Sequence, residues 1–308
     1  MPKGTKKSQL KKNKYTLKQK RSICNEIYNI SDDDVLEDFN RLKSIGCDKH
    51  KALSLIGNDV VNKFTAVERL NTAGHLDINF YDVLYNKQSL LREGYVKKLL
   101  RFYKKNNSKY PETKVWFRLS NIYFSSASIF KPLISMNVYC KYKPKCVLDF
   151  TMGWGGRLVG ACALDVPKYI GIDSNKNLER PYSLMKSFLT KHSSTDIDLR
   201  FQDALAVDYS KLTYDMVLTS PPYYNIEIYG NQKQQSRDEW DEKFYKPLFK
   251  STFQHLQPGG HYCLNVPKDV YEHIALPMFG KPFAMIPLPK AKRSQSETYK
   301  EYIYVWRK

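Results

Sequence analysis

The chain has 308 residues, 42% of them apolar, with 50 Lys or Arg against 31 Asp or Glu for a formal charge of +19. This supports a sizeable core and excludes a wholly disordered chain, and no stretch is apolar over the length of a membrane span. The basic N-terminus has no apolar leader, so an intracellular protein, cytoplasmic or nuclear, is expected.

The charge is unevenly placed. Residues 1–21 hold nine Lys/Arg and no acid, residues 22–110 hold 14 basic and 12 acidic residues, and residues 111–308 hold 27 and 19. Such an excess favours polyanionic partners through counterion release, and interleaved Tyr and Phe suit base stacking. The six cysteines are scattered without a Cys-x-x-Cys pair, so neither a zinc site nor a disulfide framework is expected, and no metal is indicated.

Residues 1–21 show no periodicity and read as a disordered basic arm. Ser31 and the acids Asp32–Asp34 then cap a helix carrying Val35, Leu36, Phe39 and Leu42. Further helical runs extend from Lys51 to Phe64 and from Asp82 to Tyr103. Together they make a small helical domain over 22–110, either a packing module or a helix-turn-helix reader, with no spacing that singles out a recognition helix. The polar stretch ending in Tyr110-Pro111 marks the boundary to a second domain over 111–308.

That second domain alternates strands and helices. The buried strand Lys145–Phe150 opens into Thr151-Met152-Gly153-Trp154-Gly155-Gly156-Arg157 and then a helical run. A strand, glycines and a helix form a nucleotide-binding corner, because glycine lets the backbone approach a ligand and the helix start offers free amides. Leu158 stands where the dinucleotide fingerprint has its third glycine, and no P-loop Lys-Ser/Thr follows, which disfavours pyrophosphate. A second strand ends on Asp173, placed to accept from ribose hydroxyls or to cap the next helix. A third leads to Asp203-Ala204, where the carboxylate could take an adenine amino group.

The strand Tyr214–Leu218 runs into Thr219-Ser220-Pro221-Pro222-Tyr223. Two prolines end the strand and stiffen a corner at the carboxyl edge of the sheet, where open α/β folds bind ligands. The Ser220 hydroxyl and an adjacent carbonyl can accept from a planar amino group while the Tyr223 ring stacks on the attached base. The long polar stretch Tyr224–Glu242 reads as a lid or binding loop. His261–Val266, Ala284–Ile286 and Glu301–Trp306 complete the sheet, the last two as an antiparallel pair with a basic loop (residues 290–293) between them.

In this order, VLDFTMGWGGR, GID, QDA, TSPPYYN and the final EYIYVWRK resemble the S-adenosylmethionine-dependent amino-methylating DNA methyltransferases, which make N4-methylcytosine or N6-methyladenine. The resemblance covers roughly residues 115–308. It implies an α/β, Rossmann-like class I methyltransferase sheet, here joined to the N-terminal helical domain and the basic disordered arm. It further implies that Asp149, Thr151, Gly153, Trp154, Gly155 and Gly156 line the methionine end of the cofactor, that Asp173 holds the ribose, and that Asp203 and Ala204 hold the adenine. Ser220, Pro221, Pro222 and Tyr223 are the implied catalytic residues, acting on a flipped base by direct in-line transfer without a covalent enzyme intermediate. Phe130-Lys131-Pro132 is the candidate for a further cofactor contact ahead of the glycine strand. The implied partner is DNA, with a protein partner for specificity also open. The alternatives are an RNA base, a protein glutamine, or a catalytically silent nucleic-acid-binding subunit. Where the family has Asp-Pro-Phe, this chain has Asp149-Phe150-Thr151.

Overall fold

A computed structural model of the chain describes residues 10–48, 54–74, 76–106, 109–124, 127–224, 227–228, 236–288 and 301–308. The helices are α1 (Leu17–Tyr28), α2 (Asp32–Ile45), α3 (Asn58–Asn71), α4 (Phe80–Tyr85), α5 (Lys87–Leu90), α6 (Gly94–Asn106), α7 (Glu112–Tyr123), α8 (Pro132–Tyr142), α9 (Gly156–Ala163), α10 (Glu179–Leu189), α11 (Arg237–Trp240) and α12 (Lys246–Gln254). The strands are β1 (Ala73–Gly74), β2 (Cys146–Asp149), β3 (Lys168–Asp173), β4 (Asp196–Phe201), β5 (Met216–Thr219), β6 (Glu227–Ile228), β7 (His261–Asn265), β8 (Ala284–Leu288) and β9 (Glu301–Arg307). The basic loop expected at 290–293 and most of the polar stretch 225–235 lie outside the described residues.

Two compact units share the chain. The first is built from Met1–Ser31, Ala66–Ser128 and Asn225–Gln234, the second from Asp32–Thr65, Ile129–Tyr224 and Gln235–Lys308. In the first unit, α1, α4, α6 and α7 bury an apolar cluster that includes Ile23, Ile27, Tyr81, Val96, Trp116 and Leu119. β1 and β6 form a short antiparallel pair.

Of the expected disordered arm, residues 1–9 lie outside the described residues and residues 10–21 are ordered. Thr16 accepts from the Gln19 amide while the Gln19 side chain reaches back to Thr16, a reciprocal cap that starts α1 at Leu17. Upstream, Lys11 and Asn86 exchange hydrogen bonds of 3.0 and 2.7 Å, and the Asn13 amide donates to the buried Asp82 carboxylate at 2.7 Å. The boundary at 110 also differs from the fold, because α2 and the first half of α3 belong with the sheet and α7 with the helical unit.

The second unit is a seven-stranded sheet in the order β4-β3-β2-β5-β7-β9-β8. β2, β3, β4, β5 and β7 are parallel, while β9 is antiparallel to both β7 and β8. The central strands β2 and β5 are buried along their whole length, as expected of a parallel sheet covered on both faces. This is a Rossmann-like arrangement, an open and mostly parallel α/β sheet with an antiparallel pair at one edge. The chain winds outward from β2 through β3 to β4, then returns to β5 on the other side. The strand order therefore reverses between β2 and β5, and the loops leaving their carboxyl ends flank the crevice where such sheets take ligands. The main core lies on this sheet, with Leu148, Phe150, Val217, Tyr245, Phe249, Tyr262 and Leu264 among its buried members.

Cys47 and Cys140 form a disulfide, contrary to the expectation of none. They are 93 residues apart, so the pairing is made by tertiary contact and has no local spacing to betray it.

Candidate functional site: two loops at the reversal of strand order

The glycine turn follows β2. Gly153 and Gly155 adopt φ of +57° and +95°, in the left-handed region that glycine occupies without a Cβ clash. Gly156 opens α9 against the chain just ahead of α8, and a Cβ there would stand 1.8 Å from the Phe130 carbonyl oxygen. The Phe130-Lys131-Pro132 segment thus abuts the start of α9 at Gly156. The Arg157 guanidinium also lies over the Phe130 ring, 4.9 Å from its centroid.

Asp149 lies at the end of β2, beneath the turn. It is fully buried and accepts from Arg157 Nε at 2.6 Å, Arg157 Nη2 at 3.1 Å, Tyr169 Oη at 2.6 Å and Thr219 Oγ1 at 2.9 Å. Four donors enclose the carboxylate, so it organises the turn from below. Arg157 also donates to the Thr151 carbonyl at 2.5 Å, holding the turn to the strand. Trp154 is buried too, and its carbonyl accepts from Thr65 Oγ1 at 3.0 Å.

Asp173 ends β3 beside this turn. Its carboxylate accepts from the Gly153 amide and the Asn175 amide, each at 2.9 Å. The carboxylate thus ties down the glycine turn and the first bend after β3, while the cap of the short helical turn that follows is Asn175, which accepts from the Asn177 amide at 3.1 Å. Burial pushes the Asp173 pKa up to about 6, the two amide donors opposing the shift. Asp203 follows β4, exposed, and accepts from the Leu205 amide at 3.0 Å, with Ala204 buried behind it. The glycine turn, Asp173 and Asp203 lie at the carboxyl ends of three adjacent strands, β2, β3 and β4.

Ser-Pro-Pro-Tyr follows β5, beside β2. The two loops meet through hydroxyls, with Thr151 Oγ1 2.6 Å from Thr219 Oγ1. Ser220 and Tyr223 are half-buried and Pro221 is buried. The next residue, Tyr224, has φ of +51°, an unfavourable value for a side chain with a Cβ. Tyr245 holds it there: its hydroxyl donates to the Pro222 carbonyl and accepts from the Tyr224 amide at 3.3 Å. Tyr245 lies on a π-helical turn, Asp241–Tyr245, ahead of α12.

Behind the corner, Ser220 Oγ and the Tyr223 hydroxyl both contact Asn265 Oδ1, at 3.1 and 2.8 Å, and Tyr223 also donates to Glu301 Oε1 at 3.0 Å. Sequence reasoning missed Arg157, Tyr169, Tyr245, Asn265 and Glu301. Asn265 and Glu301 sit where a polar residue interrupts an apolar strand end, which is the one signal that could have pointed to them.

No family model matches the chain, and no curated protein matches it. Among solved structures, it is similar to TrmN from Thermus thermophilus, at 19% identity over 57% of this chain and 48% of that one, with a TM-score of 0.38. This chain therefore spans about half the length of TrmN. An rRNA methylase from Streptococcus thermophilus matches 59% of this chain and 99% of its own length at 13% identity and a TM-score of 0.39. SMU.1697c from Streptococcus mutans, solved in complex with SAH, matches 53% and 88% at 13% identity and a TM-score of 0.36.

Proposed function

We propose that the protein transfers a methyl group from S-adenosylmethionine to an exocyclic amino group of a DNA base, N4 of cytosine or N6 of adenine. The observation that carries the reading is the meeting of the glycine turn and the Ser-Pro-Pro-Tyr corner at the reversal of strand order, joined by Thr151 and Thr219. The donor set fits the cofactor: Gly153 to Gly156 form a turn without Cβ atoms over most of its length, and Asp173 and Asp203 present carboxylates at the next two strand ends. Those residues would hold it, and when bound it supplies an electrophilic methyl group.

The chain's own contribution is alignment. Tyr245 occupies the Pro222 carbonyl, so the Pro221 carbonyl is the main-chain acceptor proposed to meet the amine alongside Ser220. Two acceptors on the amine protons turn the nitrogen lone pair out of ring conjugation and aim it for in-line attack. The Tyr223 hydroxyl is fixed from behind, which sets the plane of the ring proposed to stack on the base. A nucleic-acid substrate is further supported by α6, where Lys97, Lys98, Arg101, Lys104 and Lys105 are exposed beside an exposed Phe102.

The test is transfer of labelled methyl from S-adenosylmethionine to duplex DNA, single-stranded DNA and RNA, with modified nucleosides identified by mass. N4-methylcytosine or N6-methyladenine from DNA is expected. Label in RNA alone would replace DNA as substrate, and no transfer to any of them with cofactor bound would overturn the reading.

A further inference from the structure

We infer that Asn265 and Glu301 make Ser220 an acceptor-only hydroxyl, and that this sets the preference of the site for an amino group over a carbonyl oxygen. The inference rests on the base-methylation reading and adds to it the residues that choose the functional group.

It follows from where each proton goes. Asn265 is the last residue of β7 and Glu301 the first of the antiparallel β9, so the sheet brings both to the edge that carries Ser220. Asn265 is 3% exposed and Glu301 8%. The Asn265 amide nitrogen donates to Glu301 Oε1 and to the Tyr302 carbonyl, each at 3.1 Å. Both of its N–H groups are thereby committed. A flipped amide would set oxygen against a carboxylate and a carbonyl, so Oδ1 must face the Ser-Pro-Pro-Tyr corner.

That oxygen lies 2.8 Å from the Tyr223 hydroxyl and 3.1 Å from Ser220 Oγ. Tyr223 has one proton, and the oxygens within its reach include Asn265 Oδ1, Glu301 Oε1, the Asn265 carbonyl and Ser220 Oγ itself. An amide oxygen has two lone pairs, so Asn265 can take the Ser220 proton whichever acceptor Tyr223 uses. Tyr223 Oη, 3.2 Å from Ser220 Oγ, either donates to it or offers it a second inward acceptor. In either arrangement Asn265 takes the Ser220 proton inward, and at least one lone pair of Ser220 Oγ is left to face outward. Such a hydroxyl accepts from an N–H and repels a C=O. A site built to hydrogen-bond one polar group discriminates strongly against an analogue that cannot reciprocate.

The experiment compares binding of 2′-deoxycytidine with 2′-deoxyuridine, and of 2′-deoxyadenosine with 2′-deoxyinosine, to the full chain saturated with S-adenosylhomocysteine. The wild type should favour the amino member of one pair by about tenfold or more. Asn265→Ala should reduce that preference below about threefold while S-adenosylhomocysteine affinity stays within about twofold. Glu301→Gln, which keeps an acceptor facing Asn265, should retain the preference. In a Ser220→Ala background, Asn265→Ala should change the preference no further, because Asn265 acts through Ser220. An undiminished preference in Asn265→Ala, its loss in Glu301→Gln, or additive effects in the double variant would overturn the inference. Absence of any preference in the wild type, with S-adenosylhomocysteine bound, would instead remove the base-amine reading beneath it.

Discussion

Asp149 and Asp173 end neighbouring strands, yet the fold gives them opposite tasks. Asp149 is sealed by Arg157, Tyr169 and Thr219, and Arg157 is itself only 3% exposed. A buried pair of this kind adds little over an apolar replacement, but removing one partner strands the other's charge. Arg157→Leu should therefore cost about 3–5 kcal/mol of unfolding free energy, read by denaturant titration. Asp173 titrates on a different schedule. Its pKa of about 6 in the fold lies above the ordinary value of 3.8, so its carboxyl binds a proton in the folded chain across pH 4 to 6 that the unfolded chain has lost. This group's contribution to stability thus falls as pH rises through that window. Cofactor affinity should move the other way and weaken as pH drops below about 6, since a protonated Asp173 is a poorer acceptor for hydroxyls; calorimetric titration with S-adenosylhomocysteine from pH 5 to 8 checks it. Asp173 was legible in the sequence because strand-end position alone marks it. The enclosure of Asp149 was not, because its partners stand 8, 20 and 70 residues away and only the sheet assembles them.

Among the elements, the contact of α8 and α9 depends on what is missing from it. Gly156 meets the Phe130 carbonyl and Gly160 meets Ser135 Oγ, where Cβ atoms would stand 1.8 and 2.1 Å away. Gly156→Ala forces backbone apart and should destabilise by about 1–3 kcal/mol or more, with cofactor binding weakened alongside. The glycine motif reads in sequence as a ligand-binding feature, whereas Gly156 serves packing as well. Helix α6 presents the opposite case, a face defined by what is exposed. Its exposed cations, Lys97, Lys98, Arg101, Lys104 and Lys105, lie on one side, and the buried Val96 and Leu100 lie on the other. If the face meets phosphates, Lys97→Gln, Lys98→Gln and Arg101→Gln together should flatten the slope of log affinity for DNA against log salt by about 2 to 3. An unchanged slope would assign these cations to solvation. The expected run from Asp82 to Tyr103 is three helices: α4, capped by Asn79, stops at Asn86, α5 runs only from Lys87 to Leu90, and α6 starts afresh at Gly94. Of the helical run expected from Lys51 to Phe64, residues 51–53 lie outside the described residues and α3 begins at Asn58, where buried Asp38 accepts from the Gly57 and Asp59 amides at 2.9 Å each. Periodicity finds the apolar face of a helix; its start is set by a cap, here one 19 residues upstream.

For the whole molecule, strand order was legible from alternating runs and their terminating motifs, and each strand of the large sheet falls within two residues of its expected place. The grouping of helices was not. A boundary read along the chain presumes contiguous domains, while the helical unit takes its residues from three separate segments.

The Cys47–Cys140 bond gives this connectivity a further property. Residues 66–128, the larger part of the helical unit, lie wholly between the two bonded cysteines. Their stretch of chain is thus a covalently closed ring, entered and left through the sheet-bearing unit. A protease that cuts once inside 66–128 opens the ring and frees nothing: the two pieces should migrate as one 36 kDa species without reductant and separate only when the bond is reduced. Separation of the nicked protein under non-reducing conditions would show that the ring is not closed.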